Sequence, residues 1–97
     1  MFSAARTSEN CVALTGRFDA AQIGVARETL DRITSTCTID FQNLEYISSA
    51  GLGTLVATQK RLAEKGCSLR FVNVSRHVGD VLRYAGFDRI FEISYQQ

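Results

Sequence analysis

Tyr46–Val56 has the sequence YISSAGLGTLV, and this stretch decides the fold of the chain. Two adjacent serines and two glycines stand where a strand-like pattern changes to a helical one. A serine oxygen at a helix start can accept a hydrogen bond from a free backbone N–H, which is worth about 0.5–2 kcal/mol. Gly51 and Gly53 would each cost about 1 kcal/mol relative to alanine inside a helix. Small residues there let another backbone or a phosphate approach, so the stretch predicts a binding surface as well as a cap.

Strands and helices alternate on both sides of this turn. Two short strands flank a polar turn and form a predicted hairpin, and helical and strand periodicities then alternate to the end of the chain. The predicted order is β-β-α-β-α-β-α-β, which indicates one α/β domain over residues 1–97 with a mixed β-sheet covered by about three helices. The predicted strands are Phe2–Arg6, Cys11–Thr15, Cys37–Phe41, Ser68–Val74 and Ile90–Ser94.

Polar residues and glycines mark the ends of the predicted helices. Asp19 can cap the first helix, whose apolar stripe predicts an end near Ser35 and Thr36. Gly66 is a predicted C-cap of the second helix, and Ser75 can cap a third helix that stops at Gly86.

The charge and composition exclude several classes of protein. The formal net charge is +1, from eleven basic and ten acidic residues scattered along 97 positions, so no basic groove for nucleic acid is expected. No apolar run of about 18 residues exists, and the start lacks the pattern of a secretory signal. We therefore expect a cytoplasmic protein without direct membrane insertion.

The sequence offers little for catalysis or metal binding. Three widely spaced cysteines and one histidine, His77, do not make a zinc pattern, so we expect no metal and no cofactor. The turn lacks the Gly-Lys-Ser/Thr ending of a phosphate-binding loop, and Ile47 stands where a hydrolase elbow needs glycine. No carboxylate pair or Ser-His-acid set can be assembled, so the chain is predicted not to be an enzyme.

From about Cys11 to Ile93 the chain resembles the STAS domain family, and its bacterial anti-sigma factor antagonists most of all. The resemblance lies in several segments that occur in the family's order. They are LTGRFD (Leu14–Asp19), the serine-glycine turn of Tyr46–Val56, NVS (Asn73–Ser75) and GFDRIF (Gly86–Phe91).

The resemblance implies a phosphorylation site in the turn. The family motif is Asp-Ser-Ser/Thr-Gly, and it aligns the aspartate with Ser48, the phospho-acceptor with Ser49 and the glycine with Gly51. Ser49 is therefore the predicted acceptor, with Ser48 as the alternative. The candidate partner-contact residues are Asp19, Ser48, Ser49, Gly51, Gly53, Ala57 and Lys60.

The resemblance also implies a function. An anti-sigma factor antagonist of this type would bind an anti-sigma factor that is a histidine-kinase-like serine kinase, would be released by phosphorylation, and would be restored by a PP2C-type phosphatase. The alternative is a STAS subunit of a membrane transport complex that acts by protein–protein contact without phosphorylation. Family members commonly continue into a final helix, which is predicted here to be short or absent.

Overall fold

The computed structural model describes all residues from Met1 to Gln97 and contains one five-stranded sheet with three α-helices. The predicted element order, β-β-α-β-α-β-α-β, is confirmed. The elements are β1 (Ser3–Ser8), β2 (Cys11–Phe18), α1 (Ile23–Leu30), β3 (Cys37–Ile47), α2 (Ser49–Ala63), β4 (Leu69–Val74), α3 (Arg76–Tyr84) and β5 (Glu92–Tyr95). No helix is long and apolar enough to cross a membrane.

The sheet is mixed, and its strands lie side by side in chain order from β1 to β5. β1 pairs antiparallel with β2, whereas β2, β3, β4 and β5 are parallel neighbours. Right-handed crossovers that always step to the next strand place their helices on the same face of a sheet. The strand pairing confirms the predicted mixed sheet. The order of the crossovers places the three helices on one face of it.

Burial along the strands agrees with a sheet covered on one face. Val12 and Leu14 of β2 and Ile39 of β3 are fully buried. Ala13 and Thr38, which point to the other face, are only half-buried. Apolar residues of the covered face and of the helices form one core cluster of 22 buried residues.

β3 extends beyond the predicted end at Phe41 and continues to Ile47. The pairing with β2 shifts twice, so β3 carries an extra residue near Gln42 and another near Glu45. Bulges of this kind break the period-two alternation of a strand. Phe41, Leu44 and Ile47 are consequently buried at spacings of three, and the alternation that predicted the strand is lost after Phe41.

α1 is shorter than predicted, because it ends at Leu30 instead of near Ser35 and Thr36. Ile33 is buried, and its position continues the helical spacing, but it lies in a turn after the helix. The guanidinium of Arg61 on α2 donates hydrogen bonds to the carbonyls of Leu30 and Ile33, at 2.9 and 2.8 Å. The carbonyl of Leu30 also accepts from the N–H of Ile33 at 3.1 Å, so Arg61 binds both carbonyls of the turn that follows the helix.

The other four strands differ from prediction by one to three residues at their ends. β1 covers Ser3–Ser8, and β2 continues through Gly16 to Phe18 instead of ending at Thr15. β5 begins at Glu92, because residues 87–89 form a 3₁₀ turn and Phe91 packs inward, its ring centroid 4.3 Å from that of Phe71.

Candidate functional site at the start of the second helix

The helix N-termini meet at one edge of the sheet, because each follows the carboxyl end of a parallel strand. Asp19, Ser48 and Ser75 each accept a hydrogen bond at 3.1 Å from a backbone N–H two or three residues further on. The predicted caps at Asp19 and Ser75 are therefore confirmed, although Asp19 caps a short 3₁₀ turn that precedes α1. The N–H of Ser48 also donates to the carbonyl of Phe18 at 2.9 Å, which fastens this turn to the end of β2.

The structure distinguishes the two adjacent serines. Ser48 is half-buried and is the N-cap of α2, with its hydroxyl accepting from the N–H of Gly51. Ser49 is the first residue of α2 and is exposed, and its hydroxyl has no hydrogen-bond partner in the protein. The positive end of the helix dipole lies at this position. Of the two hydroxyls, Ser49 offers the one that is free to react.

A stripe of exposed residues runs along α2 from Ser49. Ser49, Gly53, Ala57 and Lys60 are all exposed. Their spacings of four, four and three place them on one face of a helix. We call this set the α2 stripe. The stripe faces away from the core. Its small residues, Gly53 and Ala57, lie between the hydroxyl of Ser49 and the ammonium group of Lys60.

The two glycines of the turn have different surroundings. Gly51 is buried, and a Cβ built on it would lie 3.0 Å from the carbonyl oxygen of Phe18 and 3.0 Å from Cγ1 of Ile47. A Cβ built on Gly53 would meet nothing within 4 Å. The backbone that approaches Gly51 is thus that of β2 in the same chain, and Gly51 offers no exposed surface to a partner.

Valine at Gly51 is expected to destabilise the protein, while valine at Gly53 is not. The buried position has no room beside a backbone oxygen, and overpacking of this kind costs about 1–3 kcal/mol. At the exposed position valine is a slightly better helix former than glycine, so the change should stay within about 0.5 kcal/mol. Urea unfolding of Gly51→Val and Gly53→Val measures both effects. Equal stability of the two variants would contradict the assignment of Gly51 to packing.

An open groove separates α2 from α3 next to Ser49. Its volume is about 690 Å³, and its lining includes Ser49 and Leu52 from α2 and His77, Val81 and Tyr84 from α3. Asp80, Arg83 and Ala85 complete the lining on this side of the groove. Sequence reasoning missed this groove, because the periodicity of α3 gives its buried side but not its neighbour.

All three cysteines are free, and Cys37 is buried. Burial, with a smaller contribution from nearby Cys11, raises the pKa of the Cys37 thiol and keeps it protonated. No group of three or more His, Cys, Asp or Glu side chains is placed to hold a metal ion. The chemistry that the site does offer is a single exposed hydroxyl beside a helix start.

The fold and the site define a class of small α/β domains, and comparison with known proteins gives the family. A family model described as "Mlab, STAS domain" matches residues 2–93. The chain therefore belongs to the STAS family, as the resemblance between Cys11 and Ile93 predicted.

Solved structures of anti-sigma factor antagonists share this fold. A protein of Thermotoga maritima assigned as a candidate anti-sigma factor antagonist superposes with a TM-score of 0.77 at 21% identity, covering 97% of this chain and 86% of its own. The anti-sigma factor antagonist SpoIIAA in its unphosphorylated form gives 0.74 at 17% identity, covering 96% and 87%. The Bacillus cell fate determinant SpoIIAA in its phosphorylated form gives 0.68 at 16% identity, covering 96% and 90%.

Proposed function

We propose that this chain is an anti-sigma factor antagonist-like regulatory protein that acts by partner switching. In the unmodified state it binds a histidine-kinase-like serine kinase, and phosphorylation of Ser49 releases it. The observation that carries the proposal is the exposed, unbonded hydroxyl of Ser49 at the first position of α2, beside a serine whose hydroxyl is already used as the cap.

A phosphate on Ser49 would act on the partner more than on the fold. A phosphoserine adds about −1.5 to −2 charges, and negative charge is stabilised at a helix N-terminus. The chain should therefore tolerate the modification. A partner that covers the α2 stripe would instead bury an uncompensated phosphate, at a cost on the order of 2–5 kcal/mol. This difference in cost makes Ser49 a switch for binding.

The proposed contact surface consists of the α2 stripe together with Ser48 and Asp19, which lie at the N-terminal end of α2. Ser48 and Asp19 are half-buried and belong to the same sheet edge as Ser49. Gly51 of the predicted contact residues is left out of this surface, because it is buried against Phe18. A partner here would meet small side chains, which allow close approach of its backbone.

The similar structures support a two-state function for this fold. SpoIIAA has been solved in an unphosphorylated and in a phosphorylated form, and this chain superposes on both over 96% of its length. For this chain we propose the same cycle in the cytoplasm, with a PP2C-type phosphatase that removes the phosphate and restores binding.

Intact-mass spectrometry after incubation with the candidate kinase and ATP tests the proposal. We expect one added phosphate on the wild type, none on Ser49→Ala, and one on Ser48→Asp. The Ser48→Asp variant keeps a strong helix cap and restores the family's acidic residue. If Ser49→Ala is phosphorylated and Ser48→Asp is not, the acceptor is Ser48 and not Ser49. A wild type that stays unmodified with every such kinase encoded beside its gene would overturn the proposal.

A second candidate function is a STAS subunit of a membrane transport complex. The observation that favours it is Ser48, since the family motif has aspartate before the acceptor and this chain keeps the cap but lacks the charge. Such a subunit would use the same α2 stripe without phosphorylation. Affinity for a transporter ATPase that is equal for wild type, Ser49→Ala and Ser49→Asp would favour this candidate over the kinase.

A further inference from the structure

The groove between α2 and α3 shares Ser49 with the α2 stripe, so the two surfaces are continuous. Leu52 and Val81 contribute apolar surface to its floor, and Tyr84 stands at the end far from His77. Tyr84 follows His77 by seven positions, which corresponds to about 10 Å along a helix. The groove therefore leads from the candidate phosphorylation site along the face of α3.

After Met1 at the chain start, Tyr84 is the most exposed large hydrophobic residue of the protein, at 98% of its full accessible area. Its ring makes almost no contact within the chain, so nearly its whole surface is available to a partner. Tyrosines in such positions are frequent energetic anchors of protein interfaces, because the ring supplies a large contact area with few rotatable bonds. Tyr84 is thus a candidate contact residue in the groove whose other end lies near Ser49.

The charges around the groove indicate the polarity of what fills it. Asp80 is already paired with Arg83 on the same helix. The exposed Arg76 and His77, at the end of α3 near Ser49, have no acidic partner within ion-pair distance. The guanidinium of Arg76, which lies next to the lining residue His77 at this end of the groove, is thus an unpaired positive charge, and it suits a partner segment carrying a carboxylate.

We propose that this groove is a docking site for a segment of the kinase that acts on Ser49, with an aliphatic side chain seated between Leu52, Val81 and Tyr84. A carboxylate of the same segment faces the guanidinium of Arg76. The proposal rests on the proposed function and adds the surface by which the kinase would recognise this chain as its substrate.

The size of a protein interface supports this occupant. A stable complex buries about 800 Å² on each partner, which corresponds to a patch of about 16 Å radius. A kinase that places its catalytic centre on Ser49 must cover a patch of this size around it. Because the groove starts at Ser49 and extends about 10 Å along α3, the patch includes Tyr84.

Kinetics of Ser49 phosphorylation, with a kinase that modifies the wild type in the mass-spectrometry experiment, test the docking site. We expect Tyr84→Ala to raise KM at least tenfold and to change kcat less than twofold, because the ring would add affinity away from the reacting hydroxyl. Tyr84→Phe should retain the wild-type KM, since it keeps the ring. Val25→Ala is the matched control, because Val25 is 44% exposed on α1 and does not line the groove.

The outcomes separate this proposal from the function on which it rests. A wild-type KM for Tyr84→Ala, with Ser49 still phosphorylated, would overturn the docking site and leave the proposed function standing. An equal rise in KM for Val25→Ala would also overturn it, because the effect would not be specific to the groove. Absence of phosphorylation in the wild type would overturn both. Thermal unfolding of each variant should match the wild type, since both side chains are exposed.

Discussion

Ser49→Asp is expected to weaken the complex with the kinase by about 30- to several-thousand-fold while leaving the stability of the chain nearly unchanged. The introduced carboxylate lies at the first position of α2, where the helix dipole contributes about 0.3–1 kcal/mol in its favour. Against a partner that covers the α2 stripe, the same charge loses its water, at a cost on the order of 2–5 kcal/mol. Titration calorimetry and thermal unfolding measure the two effects separately.

Ser49→Asn is the control that separates charge from size. Asparagine has nearly the shape of aspartate but no charge, so its complex should be much tighter than that of Ser49→Asp. If the two variants bind equally, the hydroxyl matters for fit and the electrostatic switch is wrong. If both bind as tightly as the wild type, the partner does not cover Ser49 at all.

The element order could be predicted because its periodicities are local. Helical and strand spacings each depend on a few neighbouring residues, and the caps at Asp19 and Ser75 stand at chain positions that propensity alone marks. The long β3 could not be predicted, because its two bulges are set by pairing with β2 and interrupt the alternation. The turn after α1 could not be predicted locally either, because its carbonyls accept hydrogen bonds from Arg61, which lies 31 residues after Leu30 in the chain.

The candidate site was predictable as a turn but not residue by residue. Two serines in sequence can each cap a helix, and only the backbone geometry shows that Ser48 does so and leaves Ser49 free. From the sequence alone the two glycines cannot be distinguished. Only tertiary packing shows that a Cβ on Gly51 would contact Phe18, whereas a Cβ on Gly53 would contact nothing within 4 Å. Local sequence signals therefore predicted the position of the turn. Contacts between distant segments determine which serine caps the helix and which glycine is packed.

Gly16→Ala is expected to cost about 2.5–5 kcal/mol of unfolding free energy, the largest effect on stability that we predict. Gly16 has φ +88°, and a Cβ built there would lie 1.8 Å from the carbonyl oxygen of Met1. An alanine would suffer about 1–2 kcal/mol of backbone strain and would displace the N-terminal residues. Phe2 is buried and stacks on Phe18 at 4.7 Å between ring centroids, so its release would cost a further 1.5–3 kcal/mol or so.

A double-mutant cycle with Phe2→Ala tests this mechanism by urea unfolding. If Gly16→Ala acts partly by releasing Phe2, the double variant should lose less stability than the sum of the single losses. Gly24→Ala is the control, because its Cβ would meet nothing within 4 Å and should add up to about 1 kcal/mol. Additive losses would contradict the coupling. Because the carbonyl of Phe18 also accepts the N–H of Ser48, displacing Phe2 removes packing from the strand end that holds the start of α2.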